Sequence, residues 1–175
     1  MIVAGTSGSG KTTTARRIAQ ILDLPHTEID GLFHGPNWQP LESFHAEVEA
    51  FSEQPAWVTE WQYSSVRPLL AERADTLVWL HFRRTTVMSR LIRRTLRRRI
   101  RRTELWNGNI EPPLWTLLRD RDHVIRWGWR THAERARQVP ATAAVHPHLH
   151  VIELRNQREV DRWLASLQTS GTSAS

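Results

Sequence analysis

The residues with the clearest chemical capacity open the chain, where Gly5-Thr6-Ser7-Gly8-Ser9-Gly10-Lys11-Thr12 reads G-x-x-x-x-G-K-[ST], the phosphate-binding P-loop pattern. Gly5, Gly8 and Gly10 let the backbone turn tightly against an anion with no Cβ in the way. Successive N–H groups then form an anion-binding nest, and the helix that starts at about Gly10 turns its positive dipole end to the same phosphates. Ser9 and Thr13 belong to this cradle. Lys11 is placed to reach the β- and γ-phosphates, and the Thr12 hydroxyl to ligate Mg²⁺. Lys11 is also the only lysine beside 23 arginines, so the one position where the motif demands lysine is the one that has it.

Two further sets of residues could act on a nucleotide. Asp30 and Glu60 each close a segment that reads as a strand, and ligands of open α/β sheets sit at strand C-terminal ends. Arginines recur at helical spacing in two places: Arg90, Arg94, Arg97 and Arg101, then Arg119, His123, Arg126 and Arg130. Two cationic stripes flanking a loop suit a lid that closes over a triphosphate and neutralises the transferring group. Phe33, His34 and Trp38, just beyond Asp30, fall where an acceptor pocket would form, and Trp61 and Trp106 are further pocket candidates.

The elements that must position these groups alternate between strand and helix. Residues 1–4 form an apolar strand, and Ala15, Ile18, Ala19 and Leu22 make one face of the first helix. Residues 26–30 read as a second strand, 31–40 as a loop, and Leu41, Phe44, Val48 and Phe51 as a helix face. A third strand covers 56–60, and Ser64 or Ser65 is the expected cap of a short helix that tolerates Pro68 in its first turn. Residues 76–82 are an apolar run suited to a strand buried on both faces. The Arg-rich helix follows, with Met88, Ile92, Leu96 and Ile100 as its expected buried stripe. Residues 103–113 read as a loop, 114–138 as a second long helix, 139–147 as irregular and 149–154 as the fifth strand. Asn156 and Glu159 pair as a capping box before a last helix, and residues 169–175 are expected to be a disordered tail. Alternation of this kind predicts a parallel sheet covered on both sides, in one domain over residues 1–168 with a lid over about 83–138.

Composition narrows the classes. At 175 residues one core suffices, no apolar run is long enough for a membrane span, and the absence of cysteine excludes disulfides and thiolate-bound metal. The first strand begins at residue 1, so no leader is expected, and a cytoplasmic enzyme fits these features. The net charge of +6 is local: residues 83–102 hold ten arginines and no acid, which leaves −4 for the rest. His146, His148 and His150 alternate as metal ligands on a strand would, but Pro147 interrupts them and no fourth ligand is evident. A G protein's Asn-Lys-x-Asp motif cannot exist here, because the single lysine lies in the P-loop.

The layout resembles the nucleoside-monophosphate kinase group of P-loop kinases, alongside shikimate and gluconate kinases. More narrowly it is similar to the small bacterial adenylate-kinase-like proteins known as DNA topology modulation proteins. The resemblance spans about residues 1–167 and rests on the P-loop, the acid closing strand two, the EWQYSSVR segment after strand three, and the Arg-rich region with LWNGN. Strand three runs into Glu60-Trp61-Gln62-Tyr63 where that group has Asp-Gly-Asn-Tyr, and strand four ends in His81 where an acid is usual. The resemblance implies a three-layer α/β P-loop fold with five parallel strands in the order 2-3-1-4-5, and ATP and Mg²⁺ as cofactors. It further implies Asp30 as acceptor-side acid or base and Glu60 as the acid that orients Mg²⁺ through water. Arg90 and Arg94 resemble the pair that stacks on adenine and contacts phosphate, and Arg119 and Arg130 the lid pair that grips the moving phosphoryl group. Tyr63 and Arg67 join Asp30, Phe33, His34, Trp38 and Glu60 on the acceptor side.

The activity expected is an ATP-dependent phosphotransferase acting on a small-molecule or nucleotide acceptor. A nucleic-acid-associated NTPase is the alternative, since ten arginines in twenty residues could cover a phosphate backbone. Against it, the same helix carries apolar residues at regular spacing and lies where a kinase lid belongs. A monomer and a homodimer both fit these features.

Overall fold

The computed structural model describes residues 1–101, 104–109 and 124–172, with the backbone alone at 99, 124–132 and 170–172. The elements are β1 (Ile2–Gly5), α1 (Lys11–Leu22), β2 (His26–Thr27), α2 (Ile29–Phe33), α3 (Phe44–Ser52), β3 (Val58–Glu60), α4 (Arg67–Arg73), β4 (Thr76–Leu80), α5 (Arg84–Ile100), α6 (Val124–Val145), β5 (His150–Leu154) and α7 (Gln157–Thr172). Two short 3-10 turns, Pro36–Trp38 and Trp106–Gly108, complete the described chain.

The five strands form one parallel sheet in the order β2-β3-β1-β4-β5, as expected from the alternation of elements. Strands this apolar are stable only when both faces are covered, and each face has its own core. Ile2, Ala4, Leu77 and Trp79 point to one side and pack with Ile29, Phe44, Val48, Trp61, Leu70 and Val139. Val3, Val78 and Leu80 point to the other and pack with Ala15, Ile18, Val87, Val160 and Leu164. Alternate residues of one strand therefore feed two cores, and the strand ends are held between the layers.

Several boundaries differ from expectation. The second strand stops at Thr27, and Asp30 lies in the first turn of α2 instead of at a strand end. The change follows from Glu60: its carboxylate accepts a hydrogen bond from the Ile29 N–H at 3.1 Å and so engages the first residue of the helix. Neither Ser64 nor Ser65 caps α4; Val66 is its N-cap, with Pro68 in the first turn as expected. On α5 only Met88 of the expected stripe is buried, while Ile92, Leu96 and Ile100 are exposed. A four-residue step advances about 40° around a helix, so that row spirals off the packed face. The face is held instead by Val87, Leu91 and Thr95. Pro140 lies inside α6, which continues to Val145. A proline there removes one hydrogen bond, and the Ala-Thr-Ala-Ala run after it favours helix enough to carry on. The last helix reaches Thr172, beyond the expected start of a disordered tail. Half of its capping box forms, the Glu159 N–H donating to Asn156 Oδ1 at 3.1 Å, while Glu159 Oε2 accepts from the Arg155 N–H at 2.6 Å instead of from the Asn156 N–H.

Candidate active site

The P-loop joins β1 to α1 in the conformation its glycines allow. Gly8 and Gly10 have φ of 88° and 95°, a region that side chains rarely occupy. At Gly8 a Cβ would also lie 2.8 Å from the Val87 carbonyl oxygen and 2.9 Å from Leu91 Cβ. The glycine is thus what lets α5 press against the loop, which puts the Arg-rich helix beside the P-loop. Lys11 is the first residue of α1 and is buried, its Nζ donating to the Thr6 carbonyl at 3.4 Å. Burial lowers its pKa from 10.5 to about 8, with Asp30 and Glu60 opposing that trend and Arg135 and Arg94 reinforcing it. Five charged groups from β3, α1, α2, α5 and α6 therefore act on one another at this point.

Glu60 is buried at the end of β3, the strand beside β1. Burial alone would raise its carboxyl, but His26, the Ile29 N–H and the Thr12 hydroxyl together hold it below the usual range. His26 Nε2 stands 3.6 Å from Oε1, close enough for an ion pair but too far for a hydrogen bond. Oε1 and the buried Ser9 hydroxyl find no hydrogen-bond partner among the described residues.

Asp30 faces this centre from α2. Its Oδ1 accepts from the Tyr63 hydroxyl at 2.6 Å and from the Gln62 amide. Tyr63 has φ of 57°, a left-handed backbone unusual for tyrosine. Its ring stacks on Phe33 with centroids 4.0 Å apart, and its oxygen lies 3.1 Å from His34 Nε2. His34 meets Trp38 edge-on at 5.0 Å and stacks on Trp106 at 5.8 Å.

The turn at Trp106–Gly108 is latched to the loop beyond α2. Asn109 is buried; its Oδ1 accepts from the Trp38 N–H at 3.0 Å and its Nδ2 donates to the Gly35 carbonyl at 2.9 Å. Asn107 Nδ2 donates to the His34 carbonyl at 2.6 Å. A Cβ on Gly31 would sit 3.1 Å from Trp106 Cδ1, so glycine there admits the indole. Trp61, by contrast, is a core residue, buried with its Nε1 donating to the Arg67 carbonyl at 3.0 Å.

Sequence reasoning missed a second cationic group. Arg135 on α6 is buried and donates to Gln138 Oε1 at 2.7 Å, and Arg67 donates to the same oxygen. Burial, reinforced by Arg67, lowers the Arg135 pKa to about 10. The Arg67 guanidinium also lies 5.3 Å from the centroid of the Trp61 ring. Arg135 falls outside the register of the expected α6 stripe, and in a chain with 23 arginines no local signal separates it from the solvated ones.

The remaining expected residues divide. Thr13 is exposed in the first turn of α1. Arg94 is half-buried and acts on Lys11, while Arg90 turns the other way, to Gln157 Oε1 at 3.2 Å and over the Phe82 ring at 5.0 Å. Arg97 and Arg101 are exposed, so the four arginines do not share one environment. Arg119 and His123 lie outside the described residues, and of Arg126 and Arg130 only the backbone, on α6, is described. Among the described residues no cluster of three His, Cys, Asp or Glu could hold a metal ion, which includes His146, His148 and His150. Nor is any described helix long and apolar enough to cross a membrane.

No family model matches the chain, and no curated protein matches it. Solved structures do match, over nearly its whole length. A gluconokinase from Sinorhizobium meliloti 1021 is 20% identical with a TM-score of 0.50, covering 99% of this chain and 95% of its own. A shikimate kinase from Acinetobacter baumannii in complex with shikimate is 17% identical with a TM-score of 0.49, covering 98% and 92%. A shikimate kinase from Bacteroides thetaiotaomicron is 15% identical with a TM-score of 0.47, covering 98% and 96%. At these identities the likeness is one of fold: a five-stranded parallel α/β fold of the P-loop kinase type.

Proposed function

We propose that this protein is an ATP-dependent kinase that phosphorylates a hydroxyl of a small anionic molecule. The observation that carries the reading is the convergence of Asp30, anchored by Gln62 and Tyr63, on the P-loop lysine, whose ionisation it affects. Asp30 is the base. It takes the proton of the acceptor hydroxyl as that oxygen bonds to the γ-phosphorus and the bond to the β–γ bridging oxygen breaks. Lys11 and the P-loop amides hold the β- and γ-phosphates and compensate the charge that moves onto the leaving oxygen.

The cradle suits its cofactors. Two positive-φ glycines, a buried hydroxyl at Ser9 without a partner and the adjacent Thr12–Glu60 contact are what a triphosphate and a hard cation require. Thr12 would hold Mg²⁺ directly and Glu60 through water; bound there, the ion neutralises phosphate charge. Arg67 and Arg135, two cations sharing one amide acceptor, suit an anionic group on the acceptor. Burial and Arg67 hold the Arg135 pKa down, Glu134 offsets part of that, and an acceptor anion would offset more. The acceptor we propose is a hydroxylated carboxylate, the type of acid implied by the name of the gluconokinase neighbour. Arg94, which acts on Lys11, serves the donor side; the resemblance gives Arg90 the same role and makes Arg119 and Arg130 the lid pair.

Transfer of label from γ-labelled ATP to such an acceptor, abolished by Lys11→Ala and Asp30→Asn, is the test. A second reading, nucleic-acid binding, draws on one observation: Arg93, Arg97 and Arg101 stand exposed on the solvent side of α5. Affinity for RNA or DNA that survives physiological salt and is lost on neutralising those three would favour it.

A further inference from the structure

We infer that Tyr63 and His34 are positioning residues for Asp30, joined in a one-way chain of hydrogen-bond donors, His34 to Tyr63 to Asp30, that fixes one carboxylate oxygen and leaves the other for the acceptor hydroxyl. The inference rests on the proposal that Asp30 is the base, and it assigns work to residues that the kinase mechanism does not itself require.

The direction of the chain follows from counting protons. A carboxylate only accepts, so the 2.6 Å contact with Asp30 Oδ1 uses the single proton of the Tyr63 hydroxyl. That hydroxyl can then only accept at its 3.1 Å contact with His34, which makes Nε2 the protonated ring nitrogen. Nδ1 is left as a bare lone pair, and Nδ1 is the His34 atom that is buried with no hydrogen-bond partner among the described residues. Burial, opposed by Asp30, also holds the His34 pKa below 6.5, which keeps the ring in this neutral form.

The chain is braced from outside. His34 is sandwiched by Trp38 and Trp106, and its carbonyl accepts from Asn107. Tyr63 is braced by Phe33 and held in a left-handed backbone that persists only where the surroundings enforce it. Without the left-handed turn at Tyr63 the chain leaving β3 would carry the phenol elsewhere. With Gln62 and Tyr63 both on Oδ1, Oδ2 has no hydrogen bond among the described residues and is the oxygen available to a substrate. A base held by one oxygen keeps its orientation in each turnover, which is worth more to the transition state than to ground-state binding.

The test uses a convenience of the sequence, that Tyr63 is the only tyrosine. Its phenolate absorbance in the intact protein therefore reports this hydroxyl alone. Burial and Asp30 raise its pKa, so the wild-type chain remains un-ionised well above the ordinary midpoint near 10. Asp30→Asn brings the midpoint down toward 10, because the adjacent negative charge is gone. In turnover, Tyr63→Phe, which keeps the stacked ring, lowers kcat about tenfold while the acceptor KM changes less than about twofold. His34→Gln, which retains a donor, keeps most of that kcat, and His34→Leu loses as much as Tyr63→Phe. A Tyr63 that titrates near 10 with or without Asp30 overturns the chain. So does a Tyr63→Phe variant that raises KM without lowering kcat. Should no acceptor be phosphorylated by the wild-type protein, the kinase reading fails, and the titration still decides the link from Tyr63 to Asp30 by itself.

Discussion

Replacing Lys11 by methionine should stabilise the fold while destroying nucleotide binding. Lys11 carries its charge in a buried site, where desolvation brings its pKa from 10.5 to about 8. At about 1.4 kcal/mol per tenfold change, that displacement corresponds to about 3 kcal/mol. The sign is fixed by proton counting: between pH 8 and 10.5 the unfolded chain binds more protons at this lysine than the folded one, so stability rises with pH across that window. Below pH 8 the full cost is present, and above 10.5 it vanishes. Methionine has a similar length and no charge to bury, so Lys11→Met should be about 3 kcal/mol more stable at pH 7, or about 6–12 °C in melting temperature for a chain of this size. The two proteins should converge by about pH 10.5. Urea unfolding of both from pH 7 to 10.5 checks this, and the difference between them cancels every other titrating group. ATP with Mg²⁺ at a thousand times its Kd should reverse the order at pH 7, since ligand at that excess adds about 4.1 kcal/mol to the wild type and nothing to the variant. A Lys11→Met protein that is equally or less stable at pH 7, or a gap that does not close with pH, would refute the argument that this lysine is held at a cost for binding.

Other outcomes follow from the same geometry. Asp30→Asn should lower kcat by about 10²- to 10⁴-fold with little change in the KM for ATP, as steady-state kinetics would show. Arg135→Met should raise the acceptor KM about tenfold or more while leaving chemical stability unchanged or higher, because it removes a buried like-charge neighbour of Arg67; paired kinetics and denaturation measure both. Gly8→Ala should cost about 1–3 kcal/mol in unfolding experiments and weaken ATP binding, since its φ of 88° and its contact with Val87 leave no room for a methyl group. Asn109→Ala should lose about 1–3 kcal/mol and speed amide hydrogen exchange at Trp38, whose N–H it holds.

The sheet and the glycine loop after β1 were legible because local signals specify them. Glycine spacing, the single lysine and the alternation of apolar runs each point to one conformation, and the strand order agrees with the family likeness. Side-chain convergence was less legible. Asp30 and Glu60 were recognisable as acids near strand ends, yet the bond from the Ile29 N–H to Glu60 that starts α2 is a tertiary contact with no local signature. The buried face of α5 was misassigned because a four-residue repeat looks helical while drifting around the axis, and what selects Val87 and Leu91 is the bare surface of Gly8. Arg135 was invisible for a compositional reason: in an arginine-rich chain, only the fold decides which guanidinium is buried. The latch made by Asn107 and Asn109 joins segments about seventy residues apart, beyond the reach of any periodicity.

The measurement that bears most directly on the central claim follows γ-labelled ATP with Mg²⁺ across hydroxylated carboxylates, nucleosides, nucleoside monophosphates and short nucleic acids, with Lys11→Ala and Asp30→Asn as controls. Label should appear on a small hydroxylated anion with the wild-type protein and on nothing with either variant. Label released only as inorganic phosphate, and faster when nucleic acid is added, would contradict it.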